Sequence, residues 1–131
     1  MTGIDTNVLV RFLVGDGAHQ AAKAASLVED AIINGERLFL CTIVLCELVW
    51  VLESAYRVPR EEVADTVEHL LMARQFEIER KDCAWAALAD FRGSHADFAD
   101  CLIGRINGSF GCRTTHTFDR AAQDVATFSV L

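Results

Sequence analysis

The chain opens with MTGIDTNVL (residues 1–9), and this stretch decides the fold class. Residues 1–4 are predicted to form a short strand. Asp5, Thr6 and Asn7 follow at once, and all three residue types favour the N-terminus of a helix. The stretch therefore predicts a strand that runs directly into a helix.

The rest of the chain continues this alternation. Residues 18–34 are rich in alanine, carry apolar side chains at helical spacing and end before Gly35, which predicts a second helix. Further strands are predicted at 38–41, 76–79, 113–118 and 126–130, and further helices at 42–56, after Pro59, at 82–91 and at 97–107. Strands that alternate with helices predict an α/β fold with a mostly parallel sheet covered on both faces.

The residue patterns of two of these helices predict how far each is exposed to water. The helix at 42–56 is apolar on nearly every side, which predicts that it is buried. The helix after Pro59 is amphipathic, and its polar side chains are predicted to form a face in water. That face consists of Arg60, Glu61, Asp65, Glu68 and Arg74.

Composition limits the class of protein. With 131 residues, 52% of them hydrophobic, and one proline, the chain is expected to form one compact domain over residues 1–131. No apolar run approaches the roughly 20 residues that a membrane span needs, and no secretory signal is evident. We therefore expect a cytoplasmic protein.

Charge and cysteine content exclude some kinds of site and leave others open. A net charge of −7 argues against a polyanionic substrate, unless several acids converge on divalent cations. The five cysteines form no CxxC pair, which argues against a disulfide framework and a thiolate zinc site. All but Cys112 are in apolar or helical context and are predicted to be small core side chains.

Five acids stand in otherwise apolar sequence: Asp5, Glu47, Asp97, Asp100 and Asp119. Removing a charge from water costs several kcal/mol unless it is paired, protonated or bound to a metal. Two of these acids directly follow predicted strands, where ligands bind in open α/β sheets. These acids are therefore candidates for one site.

Some of these acids also have a possible structural explanation that does not involve a functional site. Asp97 and Asp100 are three residues apart and share one helix face, so their charges repel and should raise at least one pKa. They could instead be a solvated helix start that interacts favourably with the helix dipole. Glu47 has no helical partner of opposite charge, but it could pair with a distant arginine such as Arg11 or Arg105.

Carboxylates without nearby histidine or thiolate ligands favour Mg²⁺ or Mn²⁺. Such ions promote phosphodiester hydrolysis by activating water and by stabilising charge on the attacking and leaving oxygens. The histidines lack HxH and HExxH spacing, and neither a serine nucleophile elbow nor a P-loop is present.

Four blocks in this order give the chain a family resemblance. They are IDTNVL (4–9), an acid in the helix after residues 41–42, DFADCLI (97–103) and TFDR (117–120). Together they resemble the PIN-domain ribonucleases, and specifically the VapC-type toxins of bacterial toxin–antitoxin pairs. The resemblance spans almost the whole chain.

The resemblance implies a Mg²⁺- or Mn²⁺-dependent endoribonuclease with a three-layer α/β/α fold. Such a toxin is usually a homodimer and is held inactive by a cognate VapB-type antitoxin. Asp5, Glu47 and Asp100 match the family's core metal-binding acids, and Asp119 matches its more variable fourth. The resemblance also implies auxiliary positions. Asp97 matches an acid that many members have. Thr6, Asn7 and Thr117 match polar positions that orient the acids, and Thr115 is a weaker candidate for the same role.

RNA contacts are expected to come from arginines, because Lys23 and Lys81 are the only lysines. Arginine suits phosphate through its planar bidentate fork. The candidates are Arg11, Arg105, Arg113 and Arg120, and each could instead serve solubility or ion pairing.

Two other functions remain open. A metal-dependent phosphohydrolase of small phosphate esters would use similar acids, although the dehalogenase type needs DxD near the N-terminus and position 7 is Asn. A catalytically silent protein-binding module is the second, and the presence of all four principal acids argues against it.

Overall fold

The computed structural model describes residues 1–131 as alternating short strands and longer helices. The strands are β1 (Thr2–Gly3), β2 (Leu38–Leu40), β3 (Phe76–Ile78), β4 (Thr115–Thr117) and β5 (Phe128–Val130). The helices are α1 (Thr6–Val14), α2 (Ala18–Asn34), α3 (Thr42–Ser54), α4 (Arg60–Met72), α5 (Lys81–Arg92) and α6 (Phe98–Ser109), and a single 3-10 turn covers Arg120–Ala122.

All strand pairs are parallel, as the alternating pattern predicts. Strands β1, β2 and β3 form one sheet in that order, with Leu38 between Thr2 and Phe76. Strands β4 and β5 pair separately. The ladder from β1 is short, because β1 ends after two residues and Asp5 already begins the next helix. The α/β class is confirmed, and its parallel strands form two groups.

Helix boundaries follow local signals closely. Helix α2 ends at Gly35, which adopts the left-handed conformation with φ of 65° and donates its N–H to carbonyls of the last turn. Glycine adopts this conformation without the steric cost that a Cβ atom adds. Helix α4 begins directly after Pro59, as expected.

The core is one cluster of buried apolar side chains that includes residues from all six helices and from β2 and β3. Cys83 and Cys101 are buried in it, and burial raises the pKa of the Cys101 thiol to about 11. Cys41 and Cys46 are half-buried and Cys112 is exposed. All five cysteines are free thiols, and no disulfide is formed.

Helix α3 is not buried on every side, and that expectation was wrong. Leu45, Leu48 and Leu52 pack inward, but Ile43 is 68% exposed and Trp50 is 69% exposed. The apolar residues of this helix therefore serve two surfaces, one in the core and one in water. None of the six helices combines the length and the apolar character that a membrane crossing requires.

Candidate active site

Three of the predicted acids lie together. One carboxylate oxygen from each of Asp97, Asp100 and Asp119 lies within 4.8 Å of the others. Asp97 directly precedes α6, Asp100 lies in its first turn, and Asp119 follows β4. The fold thus brings two acids near the start of one helix against an acid beyond the end of a strand. We call these three residues the acid group.

Asp97 occupies the N-cap position of α6, but its side chain makes no capping hydrogen bond. An aspartate at this position ordinarily accepts an N–H from the first turn. The carboxylate instead lies beside Asp100 and Asp119. Simple helix capping therefore does not explain why an acid occupies position 97.

Asp100 is affected by this crowding. Partial burial, then the charge of Asp97, then the charge of Asp119 and a hydrogen bond with it raise the pKa of the Asp100 carboxyl. The expectation that one pKa of the Asp97 and Asp100 pair is raised agrees with this direction. Burial contributes more than the charge of Asp97, and Asp119 adds a charge from outside the helix.

Asp119 is held by its own turn. Its carboxylate accepts the N–H of Ala121 at 2.9 Å, and its own N–H donates to the Thr117 hydroxyl oxygen at 3.0 Å. Thr117 thus fixes the main chain that carries this acid. Thr115, the weaker candidate, accepts instead from the Asn107 amide at 3.0 Å.

Asp5 and Glu47 each accept a hydrogen bond from the first turn of α1. The Asp5 carboxylate caps α1 by accepting the N–H of Val8 at 3.1 Å. The next residue, Thr6, donates its hydroxyl to Glu47 Oε1 at 3.1 Å. Neither Asp5 nor Glu47 belongs to the acid group, but α3, which carries Glu47, contacts both α1 and α6.

The acids are not buried, in contrast to the sequence argument. No charged residue of the chain is buried, and only Asp100 among the five candidates is even partly covered. Some of their apolar neighbours in sequence are in the core, such as Val44 and Phe98, and others are exposed, such as Ile43 and Trp50. The case for a site therefore depends on the proximity of the acids and on their lack of cationic partners, since no ion pair includes any of the five.

The proposed arginine partners of Glu47 are engaged elsewhere, so that alternative was wrong. Arg105 makes two hydrogen bonds with the Asp90 carboxylate at 2.7 and 2.8 Å. Arg11 donates to Gln20 and to the carbonyl of Asp16.

The same bonds affect the candidate phosphate contacts. Arg105 and Arg11 already have partners, whereas Arg120 and Arg113 are exposed and have no ion pair. Asn7, expected to orient an acid, is exposed and makes no side-chain hydrogen bond. The roles of these residues stay predictions.

The sequence misassigned Arg60. The amphipathic pattern placed this residue on the polar face of α4, but it is only partly exposed. Its guanidinium group donates to the carbonyls of Phe91, at the end of α5, and of Ser94 and Ala96, in the loop before α6. Its acceptors are 31 to 36 residues away in sequence. No local pattern could have indicated them.

The donor set of the acid group fits a hard divalent cation. It offers three carboxylates and no thiolate or imidazole, and such oxygen ligands suit Mg²⁺ and Mn²⁺. After partial burial, the charges of Asp97 and Asp119 also raise the pKa of the Asp100 carboxyl. A cation would offset the repulsion between these like charges.

The acid group lies on an open surface. Two cavities, of about 600 and 230 Å³, lie elsewhere in the molecule, and neither is lined by any of the five acids. The larger lies between the end of α2 and the start of β3, and the smaller lies beside Arg60 and Phe91.

Comparison with known proteins identifies the family of the chain. The model of the PIN domain family matches residues 4–127. A VapC ribonuclease of Aquifex aeolicus (strain VF5) is 30% identical over 117 residues, which cover 89% of this chain and 86% of that protein. No solved structure gives a significant match. The chain therefore belongs to the PIN-domain family, as a relative of VapC ribonuclease.

Proposed function

We propose that this chain is an endoribonuclease that depends on Mg²⁺ or Mn²⁺ and acts as the toxin of a type II toxin–antitoxin pair. The observation that carries the proposal is the acid group, with three carboxylates within 4.8 Å and no cationic side chain paired with them. The similarity to a VapC ribonuclease supports RNA as the substrate. In this proposal residues 1–131 act as one domain in the cytoplasm, where the RNA is.

The candidate acids and Thr6 have different roles in this proposal. Asp5, Glu47, Asp100 and Asp119 hold the cation, and Asp97 adds a further carboxylate. A bound Mg²⁺ or Mn²⁺ supplies an acidified water and offsets negative charge on the phosphate. Thr6 orients Glu47 through one carboxylate oxygen, so the other oxygen stays available to a ligand or to a water proton.

The open position of the acids supports a polymer substrate. Sites for small ligands are generally concave and enclose most of the ligand surface. Neither of the two cavities described above contains a candidate acid, whereas an exposed acid group is accessible to a phosphodiester within a chain. This favours RNA over small phosphate esters.

Exposed apolar side chains beside the site support protein partners. Ile43 and Trp50 lie one turn to either side of Glu47 on α3, and both are mostly exposed. The surface area of one chain is 7650 Å², while a compact monomer of this mass is expected to have roughly 6800 Å². We therefore propose a homodimer and a VapB-type antitoxin that covers part of this surface.

The central experiment compares RNA cleavage by the wild type with Asp5→Asn and Asp100→Asn. Each amide keeps the shape of the side chain and removes its charge, so both variants should lose cleavage. Glu29→Gln removes an exposed carboxylate of α2 that has no partner, and it should cleave like the wild type. Wild-type cleavage by either aspartate variant would show that the site is wrongly assigned.

Two further measurements separate the alternatives. Hydrolysis of p-nitrophenyl phosphate without cleavage of RNA would favour the small-ester enzyme. Absence of both activities, with tight binding of the antitoxin, would favour the silent module. Light scattering should give the mass of a dimer, and a strict monomer at roughly tens of micromolar would contradict the homodimer.

A further inference from the structure

Arg60 connects the start of α4 to the segment that leads into α6. Its Nη2 atom donates to the carbonyl oxygens of Phe91 at 2.7 Å, Ser94 at 3.1 Å and Ala96 at 2.6 Å. No carboxylate pairs with Arg60, so its guanidinium group makes its hydrogen bonds to these three carbonyls alone. One side chain thus holds both ends of the loop between α5 and α6.

The two neighbours of Asp97 are both linked to Arg60. Ala96, which precedes Asp97, is fully buried and accepts the shortest of the three hydrogen bonds. Phe98, which follows it, meets the ring of Phe91 edge-on at 5.8 Å, and the Arg60 guanidinium carbon lies 3.7 Å from the centre of the Phe91 ring. The main chain of Asp97 cannot shift without disturbing one of these contacts.

A second set of contacts holds the same loop from α5 and α6. The Ser94 hydroxyl donates to the carbonyl of Asp90 at 2.7 Å and accepts the N–H of Ala96 at 3.2 Å. The Asp90 carboxylate in turn binds Arg105 of α6 in the bidentate pair described above. The loop is therefore fixed to α5 and α6 by these contacts, and Arg60 is the side chain that fixes it to α4.

We propose that Arg60 is a positioning residue for the acid group. The carboxylates of Asp97, Asp100 and Asp119 repel one another, and repulsion would move the most mobile of them away if the loop were free. Arg60 fixes the main chain on the N-terminal side of α6, so that Asp97 and Asp100 stay beside Asp119 before a cation arrives. This inference rests on the proposed metal-dependent function, and it assigns Arg60 no contact with RNA or cation.

The test uses two variants and a matched control. Arg60→Met keeps an apolar stem over Phe91 and removes every donor. Arg60→Lys keeps a charge, but its single ammonium group does not reproduce the guanidinium geometry. Arg92→Met is the control, because Arg92 borders the same small cavity but pairs with Asp65 and Glu68 of α4 and holds none of the three carbonyls.

Three measurements are made on each folded variant: Mg²⁺ affinity by calorimetry, hydrogen exchange of the amides of residues 94–98, and kcat and KM for RNA. Loss of a residue that orients ligands typically lowers metal affinity or activity about 10- to 100-fold. We expect Arg60→Met to weaken Mg²⁺ binding about tenfold, to speed exchange in 94–98 and to lower kcat with KM nearly unchanged, and Arg60→Lys to lie between it and the wild type. Arg92→Met should match the wild type in all three.

Wild-type Mg²⁺ affinity and kcat in a folded Arg60→Met would overturn the proposal. If that variant does not fold, the same result in Arg60→Lys overturns it. An equal loss of Mg²⁺ affinity in Arg92→Met would also overturn it, because the effect would then be general weakening of the α4–α5 contact. A wild-type protein that neither binds Mg²⁺ nor cleaves RNA would refute the proposed function itself, which distinguishes the two failures.

Discussion

Gly104 gives a sharp test of how the position of α6 controls the acid group. It lies one turn beyond Asp100 and is buried against the end of the chain. A Cβ atom added here would lie 2.8 Å from Phe128 Cε2 and 3.0 Å from Thr127 Cβ, and it would also collide with Thr127 Oγ1. Carbon atoms in contact prefer about 3.5–4.0 Å, so Gly104→Ala requires α6 and β5 to move apart by roughly 0.5–1 Å.

The magnitude follows from two opposed terms. Overpacking of this kind costs about 1–3 kcal/mol, and alanine gains about 1 kcal/mol over glycine inside a helix. Gly104→Ala should therefore lower the free energy of unfolding by about 0–2 kcal/mol. Gly108→Ala is the control, because its Cβ would meet nothing within 4 Å, so it should keep most of the helix gain.

The two variants should differ by the overpacking term alone, which corresponds to about 4–12 °C in Tm for a domain of this size. A displacement of α6 also moves Asp100, and a misplacement of about 1 Å in a catalytic geometry can cost about 100-fold in rate. Urea unfolding and cleavage of a fluorogenic RNA in Mg²⁺ measure both effects. If Gly104→Ala were as stable and as active as Gly108→Ala, the tight packing of α6 on β5 would not position the acids.

Three further predictions concern the acids directly. In metal-free buffer Asp100→Asn should be more stable than the wild type at neutral pH. Because the pKa of the Asp100 carboxyl is higher in the folded state, the wild type loses stability as pH rises from the ordinary value of 3.8 through the folded value. Melting curves should show that the difference between the two proteins vanishes well below pH 3.8. In thermal-shift and cleavage series, Mg²⁺ and Mn²⁺ should raise Tm and support cleavage, while Ca²⁺ should raise Tm with little turnover because of its looser coordination; equal cleavage in EDTA and Mg²⁺ would contradict the metal mechanism. Thr6→Val removes the donor to Glu47 and should lower kcat about tenfold with little loss of stability, which steady-state kinetics and urea unfolding would measure, and an unchanged kcat would show that this hydrogen bond does not orient Glu47.

Local signals predicted the elements well because they act over a few residues. The helix predicted at 18–34 was found at Ala18–Asn34, since an alanine-rich repeat and a terminal glycine are enough to set its bounds. The strand–helix start also agreed, with Asp5 as the N-cap of α1. The 3-10 turn after Asp119 was not predicted, because three residues carry no detectable period.

Long-range arrangement was beyond the sequence. The apolar surroundings of Glu47 indicated burial, but a helix such as α3 can place apolar residues in the core and in water at once. The closeness of Asp119 to Asp97 and Asp100 depends on how β4 and α6 meet, which neither segment encodes alone. The contacts of Arg60 could not be predicted either, because its acceptors are main-chain carbonyls. Every residue has such a carbonyl, so no residue type indicates this interaction.

The exposed position of Trp50 gives this protein an intrinsic optical reporter beside Glu47. Trp50 lies one turn from Glu47 on α3, and the only other tryptophan, Trp85, lies on α5. With Trp85→Phe, all tryptophan emission would come from Trp50. A water-exposed indole emits at longer wavelength than a covered one, so RNA, antitoxin or a second subunit that covers this part of α3 would shift the emission to the blue without any attached label.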